Sequence, residues 1–292
     1  MKKIKKLLNG LMKSSIKIEK QMTSNVCPLT GETKSKLIFT YNEPPIGEVA
    51  YSSFMKQDYF RQVWKFFPSG HYVSTHAMTS NNFYEGDYVD ATYKDLKSMQ
   101  NTFNKITSLP KEKSDNYWRF EEILNFSNKW FKDESRPKLL DIGSGLGVFP
   151  FIVNKQNWDC TALDPDKRSI DLIKANLKIK TICADFMNYK SSKKYDIITL
   201  NKVLEHIENP IEMLLKTKDS INKNGFVYIE IPDGEIASLY GKGREEFFIE
   251  HLHVFSMAST AILASKAGFK VQNISRIQEP SSKFTIRAFL SL

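Results

Sequence analysis

Residues 138–153 read KLLDIGSGLGVFPFIV. An apolar run closes on Asp141, glycines follow at Gly143, Gly145 and Gly147, and apolar residues then recur at helical spacing. The pattern predicts a buried strand, a tight turn and a helix. Such a turn needs glycine because the backbone bends sharply and a ligand must reach the main chain with no Cβ in its way. Residues 160–166, CTALDPD, form a second apolar run ending in Asp164 and Pro165, with Asp164 placed 21 residues after Gly143. An acid at that distance can accept both hydroxyls of a ribose. The third glycine comes one residue earlier than in the dinucleotide pattern G-x-G-x-x-G, which disfavours a nicotinamide dehydrogenase.

The alternation of strand and helix patterns continues through TICADF (181–186), YDIITLNKVLEHI (195–207) and GFVYIEIPDGE (225–235), and the run ends carry Asp185, Asn201 and Asp233. In an open parallel sheet those ends converge on one crevice. Further on, MASTAILASKAGFKV (257–271) reads as a helix and a strand, and KFTIRAFLSL (283–292) as a last strand after the turn at 279–282.

Together these segments resemble the class I S-adenosylmethionine-dependent methyltransferases, over about residues 113–292. The resemblance implies an α/β, Rossmann-like sheet of seven strands with the last strand antiparallel. It also implies S-adenosylmethionine as donor, S-adenosylhomocysteine as product, and no metal. By similarity Gly143, Ser144, Gly145 and Gly147 hold the methionine end, Asp164 the ribose hydroxyls, Asp185 the adenine amino group with Phe186 beside the ring, and Asn201 sits beside the methionine portion; Asp141 and Pro165 are further cofactor-binding candidates. Arg119, in DNYWRFEEI, is a candidate for the donor carboxylate or a surface helix arginine.

Methyl transfer from a sulfonium asks the protein for alignment, plus a base where the acceptor is a hydroxyl. Histidine suits that task. His206 follows the fourth strand, and His251 and His253 lie in REEFFIEHLHVFS (244–256) with Glu250; these four are the candidate catalytic residues. Glu205 reads as a contact to loop backbone. His71 and His76 have no evident partner in the sequence.

LEHI with EHLHVFS is also similar to sugar methyltransferases of deoxysugar and surface-glycan biosynthesis. In their C-methylating branch, histidines at the positions of His206 and His251, a glutamate at Glu250 and a tyrosine two residues earlier act on the sugar; here the last position is Phe248. Those proteins begin with a four-cysteine zinc ribbon. CPLTG (27–31) resembles its first knuckle with Thr30 at a cysteine position, and FFPSG (66–70) offers Phe66 and Ser69 for the second. With one thiolate left, structural zinc is not expected. These departures, and the lack of a large segment after the last strand, point to O-methylation of a sugar, nucleotide sugar or glycan-related small molecule. The fuller string of motifs is similar to a bacterial group associated with surface polysaccharide synthesis.

The 292 residues carry a formal charge of +9, of which residues 1–22 supply +6 and the other 270 only +3. The sheet region has no basic stripe interleaved with aromatics, so nucleic acid is not an expected partner. In residues 1–22, Ile4, Leu7, Leu8, Leu11 and Met12 share one helical face flanked by lysines. That segment reads as a solvated basic extension, a helix packed on its own domain, or a contact with anionic membrane. No apolar run is long enough to span a bilayer, and no signal-peptide core is evident. Three widely spaced cysteines fit a reducing cytoplasm. The expected organisation is a basic tail (1–22), an accessory region (23–112) of short strands and a helix over about 93–106, and the methyltransferase-like domain (113–292). In the accessory region Tyr84 and Tyr88 could line a pocket. Competing readings are an RNA or protein methyltransferase, and a regulatory protein that binds the donor without turnover.

Overall fold

The computed structural model describes residues 26–49, 59–76, 78, 95–132 and 136–292. The basic segment 1–22, Tyr84, Tyr88 and the expected helix start at Tyr93 lie outside the described residues. The described chain runs β1 (Lys34–Tyr41), β2 (Arg61–Phe67), β3 (Tyr72–His76), α1 (Leu96–Thr107), α2 (Asp115–Trp130), β4 (Lys138–Ile142), α3 (Val148–Lys155), β5 (Asp159–Asp164), α4 (Lys167–Asn176), β6 (Lys180–Cys183), β7 (Tyr195–Asn201), α5 (Pro210–Lys216), β8 (Ile221–Pro232), β9 (His253–Val254), α6 (Met257–Lys266), β10 (Lys270–Gln278) and β11 (Phe284–Ser291).

Seven strands form one sheet in the order β10-β11-β8-β7-β4-β5-β6. The pairs among β4 to β8 are parallel, while β11 runs antiparallel to both β8 and β10. Strands β4, β5 and β7 are buried along nearly their whole length, as expected where helices cover both faces of a parallel sheet. One core layer packs Phe120 and Ile123 of α2 with Phe149 of α3 against Leu139, Ile197 and Phe226. The opposite layer packs Leu214 of α5 and Leu263 of α6 against Leu140, Ile198 and Val227. Helix α1 begins at Leu96, where the Asp95 carboxylate accepts the Ser98 N–H at 2.7 Å and caps it.

A smaller antiparallel sheet has the order β1-β2-β3-β9. Its fourth strand comes from residues 253–254, where Tyr72 pairs with Val254 and Val73 with His253. The small sheet of the accessory region thus takes its fourth strand from the C-terminal part of the chain. Buried Arg61 ties the parts together: it donates to Phe247 O at 2.6 Å, pairs with Glu48 at 3.2 Å and lies over the Tyr41 ring. Glu48 in turn accepts the Ile249 N–H at 2.7 Å. The two knuckle-like turns also meet, joined by a carboxylate: Glu32 accepts from Thr30 Oγ at 2.9 Å and from the Ser69 N–H at 2.7 Å. Among the described residues, no helix is long and apolar enough to cross a membrane.

Candidate active site

The loop after β4 is fixed from below. Gly143 and Ser144 donate their N–H groups to Leu163 O at 2.9 and 3.1 Å, and Ser144 Oγ donates to Asp141 O. Gly145 and Gly147 both have positive φ, but their surroundings differ. A Cβ on Gly147 would lie 2.5 Å from Ile173 of α4, whereas one on Gly145 would meet nothing within 4 Å. Gly147 therefore serves helix packing, and Gly145 leaves open space between Ser144 and Leu146, which line a cleft.

That cleft, of about 170 Å³, is lined by Asn116, Arg119, Asp141, Gly143, Ser144, Phe149 and Asn201, among others. Asp141 is 2% exposed, and its Oδ1 accepts from Thr199 Oγ at 2.7 Å and Asn201 Nδ2 at 2.8 Å. Burial pushes its carboxyl up to about 6, against the lowering effect of those donors and of Arg119. The buried Oδ1 of Asn201 has no hydrogen-bond partner among the described residues. An uncompensated acceptor beside a buried carboxylate suits a ligand cation with N–H donors.

Arg119 reaches this cleft but its guanidinium is largely engaged. It forms a two-pronged pair with Glu230 and donates to Asn116 Oδ1 at 2.6 Å. It is a buried residue of α2, which corrects the alternative of a surface helix arginine. Behind it Glu230 also meets Arg287 at 3.1 Å and Lys202 at 3.9 Å, and Glu279 pairs with Lys202. Burial alone would raise the Glu230 carboxyl, but Arg119 and Arg287 outweigh it and hold the group ionised.

Along the sheet edge, Asp164 is 7% exposed. Its Oδ2 accepts the Gly145 N–H at 2.8 Å and its Oδ1 the Asp166 N–H at 2.9 Å. Burial raises its carboxyl to about 6. Pro165 stands next to it, its carbonyl facing the Cys183 thiol. Asp185 is exposed and accepts from the Met187 N–H and the Asn188 side chain. Phe186 differs from expectation: it is 3% exposed and belongs to the core with Leu163 and Leu204, so it is not open to a ring beside Asp185.

A second pocket, also about 170 Å³, lies across the end of β7. Asn201 lines the first cavity and Lys202, the next residue, the second. Lys202 is held at φ +57 in the left-handed region, with its N–H on Glu230 O. The pocket wall includes Glu205, His206, Phe248, Glu250 and His251, so four of these polar side chains come from two segments 44 residues apart. Phe248 supplies a ring and no hydroxyl.

His206 Nδ1 contacts Glu250 O at 2.9 Å and His251 Nδ1 contacts Glu246 O at 2.9 Å. A carbonyl can only accept, so both Nδ1 atoms carry hydrogen and each Nε2 carries the lone pair. Burial lowers the His206 imidazole to about 4, and burial together with neighbouring His206 lowers that of His251 well below its usual value. The Glu205 carboxyl does meet loop backbone, its own N–H, but it is 1% exposed, its Oε2 has no partner among the described residues, and burial raises the group to about 8. Glu205, His206 and His251 bring one ligand-type atom each to within 4.8 Å of one another.

His253 is not in this pocket. It is 2% exposed on β9, and its Nδ1 lies 3.0 Å from Nε2 of His71. The short strand turns it into the junction between the sheets, where His71 also meets Ser259 at 3.3 Å. His71 and His76 thus have partners after all, since His76 Nδ1 contacts Met78 O at 3.0 Å. Nothing in the sequence marked the parts played by Lys202, which follows the end of β7 directly, or by Glu230, whose place between Ile229 and Ile231 looks like ordinary strand polarity.

A methyltransferase-domain family model matches residues 116–274, more than half of the chain. The chain belongs to that methyltransferase family. Among curated proteins, the ubiquinone biosynthesis O-methyltransferase of Rickettsia typhi is 29% identical over 119 residues, covering 39% of this chain and 48% of the relative. Its counterpart in Rickettsia canadensis is 28% identical over 116 residues, covering 38% and 49%. The methyltransferase therefore spans about half the length of the curated relatives it matches. Among solved structures, magnesium protoporphyrin IX methyltransferase from Synechocystis with bound S-adenosylmethionine superposes with a TM-score of 0.53 at 12% identity, covering 75% of this chain and 100% of the other. A plantazolicin methyltransferase in complex with a substrate analogue and S-adenosylhomocysteine gives 0.51 at 18% identity, covering 70% and 94%. At those identities the likeness is one of fold, and the fold is the Rossmann-like methyltransferase sheet.

Proposed function

We propose that this methyltransferase moves a methyl group from S-adenosylmethionine to a hydroxyl of a sugar or glycan-related small molecule. The observation that carries the reading is the pair of cavities meeting at Asn201 and Lys202, one suited to the donor and the other lined with polar side chains. When bound, the donor supplies an electrophilic methyl on a sulfonium and departs as S-adenosylhomocysteine. Asp141 and Asn201 Oδ1 face its ammonium, and the Gly143–Gly147 loop lets its backbone approach. Arg119 binds the donor carboxylate with what donor capacity Glu230 and Asn116 leave it. Asp164 accepts the ribose hydroxyls through the lone pairs left after its two backbone contacts, beside Pro165, and Asp185 accepts from the adenine amino group. Phe186 supports that end from within the core.

On the acceptor side His251, with His206 as alternate, takes the hydroxyl proton at Nε2 while Glu250 hydrogen-bonds a neighbouring hydroxyl. The carbon–oxygen bond forms as the carbon–sulfur bond breaks, so alignment across Asn201–Lys202 sets the rate. The name of the Rickettsia relatives specifies an oxygen acceptor, which supports O-methylation. A lining with glutamates, lysines and histidines around Phe248 favours a polyhydroxylated acceptor over an apolar ring.

The test is incubation with isotopically labelled donor and a panel of nucleotide sugars, read by mass spectrometry for the mass of one added methylene. His251→Ala is expected to lower kcat about 10²- to 10⁴-fold while leaving the affinity for S-adenosylhomocysteine unchanged. No binding of donor or product by calorimetry, or an unchanged kcat in His251→Ala, would sink the reading.

A further inference from the structure

We infer that Glu205, His206 and His251 form a binding site for a divalent transition cation of the zinc type, at the wall of the acceptor pocket. Three observations carry it. One ligand-type atom from each residue lies within 4.8 Å of the others. Both imidazoles have Nδ1 on a backbone carbonyl, at 2.9 Å in each case, which directs the Nε2 lone pairs to a ligand role. That arrangement, an imidazole oriented by a second contact through its other nitrogen, is the usual support of a metal-bound histidine. The third is Glu205: its side chain lines the pocket, is 1% exposed, and keeps Oε2 without a partner among the described residues. A buried orphan carboxylate oxygen beside two oriented imidazoles is accounted for by a cation that all three share.

Two imidazole nitrogens and one carboxylate oxygen match zinc at about 2.0–2.2 Å per ligand, with a fourth position left for water or an acceptor oxygen. Tetrahedral ligands at that radius stand about 3.4 Å apart, so the three groups close by up to about 1.4 Å on binding. The pocket supplies the entry path. Binding uses the same Nε2 lone pairs that the proposed methyl transfer uses to take up a proton, so the cation acts as an inhibitor of turnover. The site itself does not depend on turnover.

The experiment is calorimetric titration of the full metal-stripped chain with zinc chloride, in the wild type and in Glu205→Gln and His251→Asn. One zinc per chain is expected, weakened at least about 100-fold in each variant, since even losing an outer support costs about 10- to 100-fold. Cobalt(II) added to the wild type reads the same site without any variant: visible d–d absorption of tetrahedral intensity, erased by zinc, is expected. No stoichiometric zinc binding, wild-type affinity retained in the folded variants, or only octahedral cobalt absorption overturns the inference. Binding of S-adenosylhomocysteine, measured in parallel, separates this outcome from a failure of the methyl-transfer reading.

Discussion

Two buried carboxylates stand at the proposed donor site, Asp141 in the wall of the first cavity and Asp164 on the Gly145 N–H, and both pay for their burial in proton affinity. Asp164 faces the Gly145 and Asp166 N–H groups and the Asp166 carboxylate, with no cation among its contributors, and burial lifts it to about 6. The sign follows directly. A ribose hydroxyl needs the ionised form as acceptor, so donor affinity is full above the raised value and falls as pH drops through about 6. On the proposed donor placement Asp141, raised to about 6 as well, adds to the same slope because its charge would face the donor's ammonium. Calorimetry with S-adenosylhomocysteine is expected to show affinity declining from about pH 8 to about pH 5 with proton release on binding. Asp164→Asn should weaken binding about 10- to 100-fold, the value of a charge-assisted hydrogen bond, and flatten the part of the pH dependence due to Asp164. A pH-independent affinity in the wild type would refute the assignment.

At the scale of elements, the parallel strands were readable because they are buried on both faces and therefore written as mainly apolar runs, from Leu139 to Ile142 with Asp141 inside and from Ile197 to Leu200 with Thr199 inside. The small sheet was not, because its members are far apart in sequence: β3 at residues 72–76 finds its partner at 253–254. The same distance hid the roles of the histidines. A turn at residues 249–250 and a bend at 252 precede β9, so strand alternation does not relate His251 to His253, and one enters the pocket while the other packs against His71. Ser256 joins the two sheets. Its Oγ accepts the Ser259 N–H at 2.9 Å in a capping box at the start of α6, and it donates to Ser69 O across the junction. Ser256→Ala removes both contacts, so a loss of about 1–2 kcal/mol is expected, above the ~1 kcal/mol typical of a cap alone. Urea unfolding measures it; a change below about 0.5 kcal/mol would mean that Ser69 and α6 find equivalent partners.

For the whole molecule, the uneven charge is the feature still to be explained. A residual +3 over 270 residues gives no field of the kind that gathers nucleic acid, while residues 1–22 concentrate +6 beside Ile4, Leu7, Leu8 and Leu11. Each lysine near an anionic bilayer contributes about 1 kcal/mol, so this segment alone can supply reversible attachment that salt weakens. We propose that it tethers the enzyme at a membrane face, close to where glycan precursors are assembled. The two cavities proposed for donor and acceptor are lined by residues between 106 and 285, so on this reading the tether and the chemistry are separable. Full-length chain should co-sediment with phosphatidylglycerol vesicles at low salt, much less with phosphatidylcholine vesicles, and be released by added salt. Deleting residues 1–22 should abolish sedimentation and leave turnover on a soluble acceptor intact. A truncated chain that still sediments places the membrane contact elsewhere, and one that loses turnover makes the segment part of the folded enzyme instead of its tether.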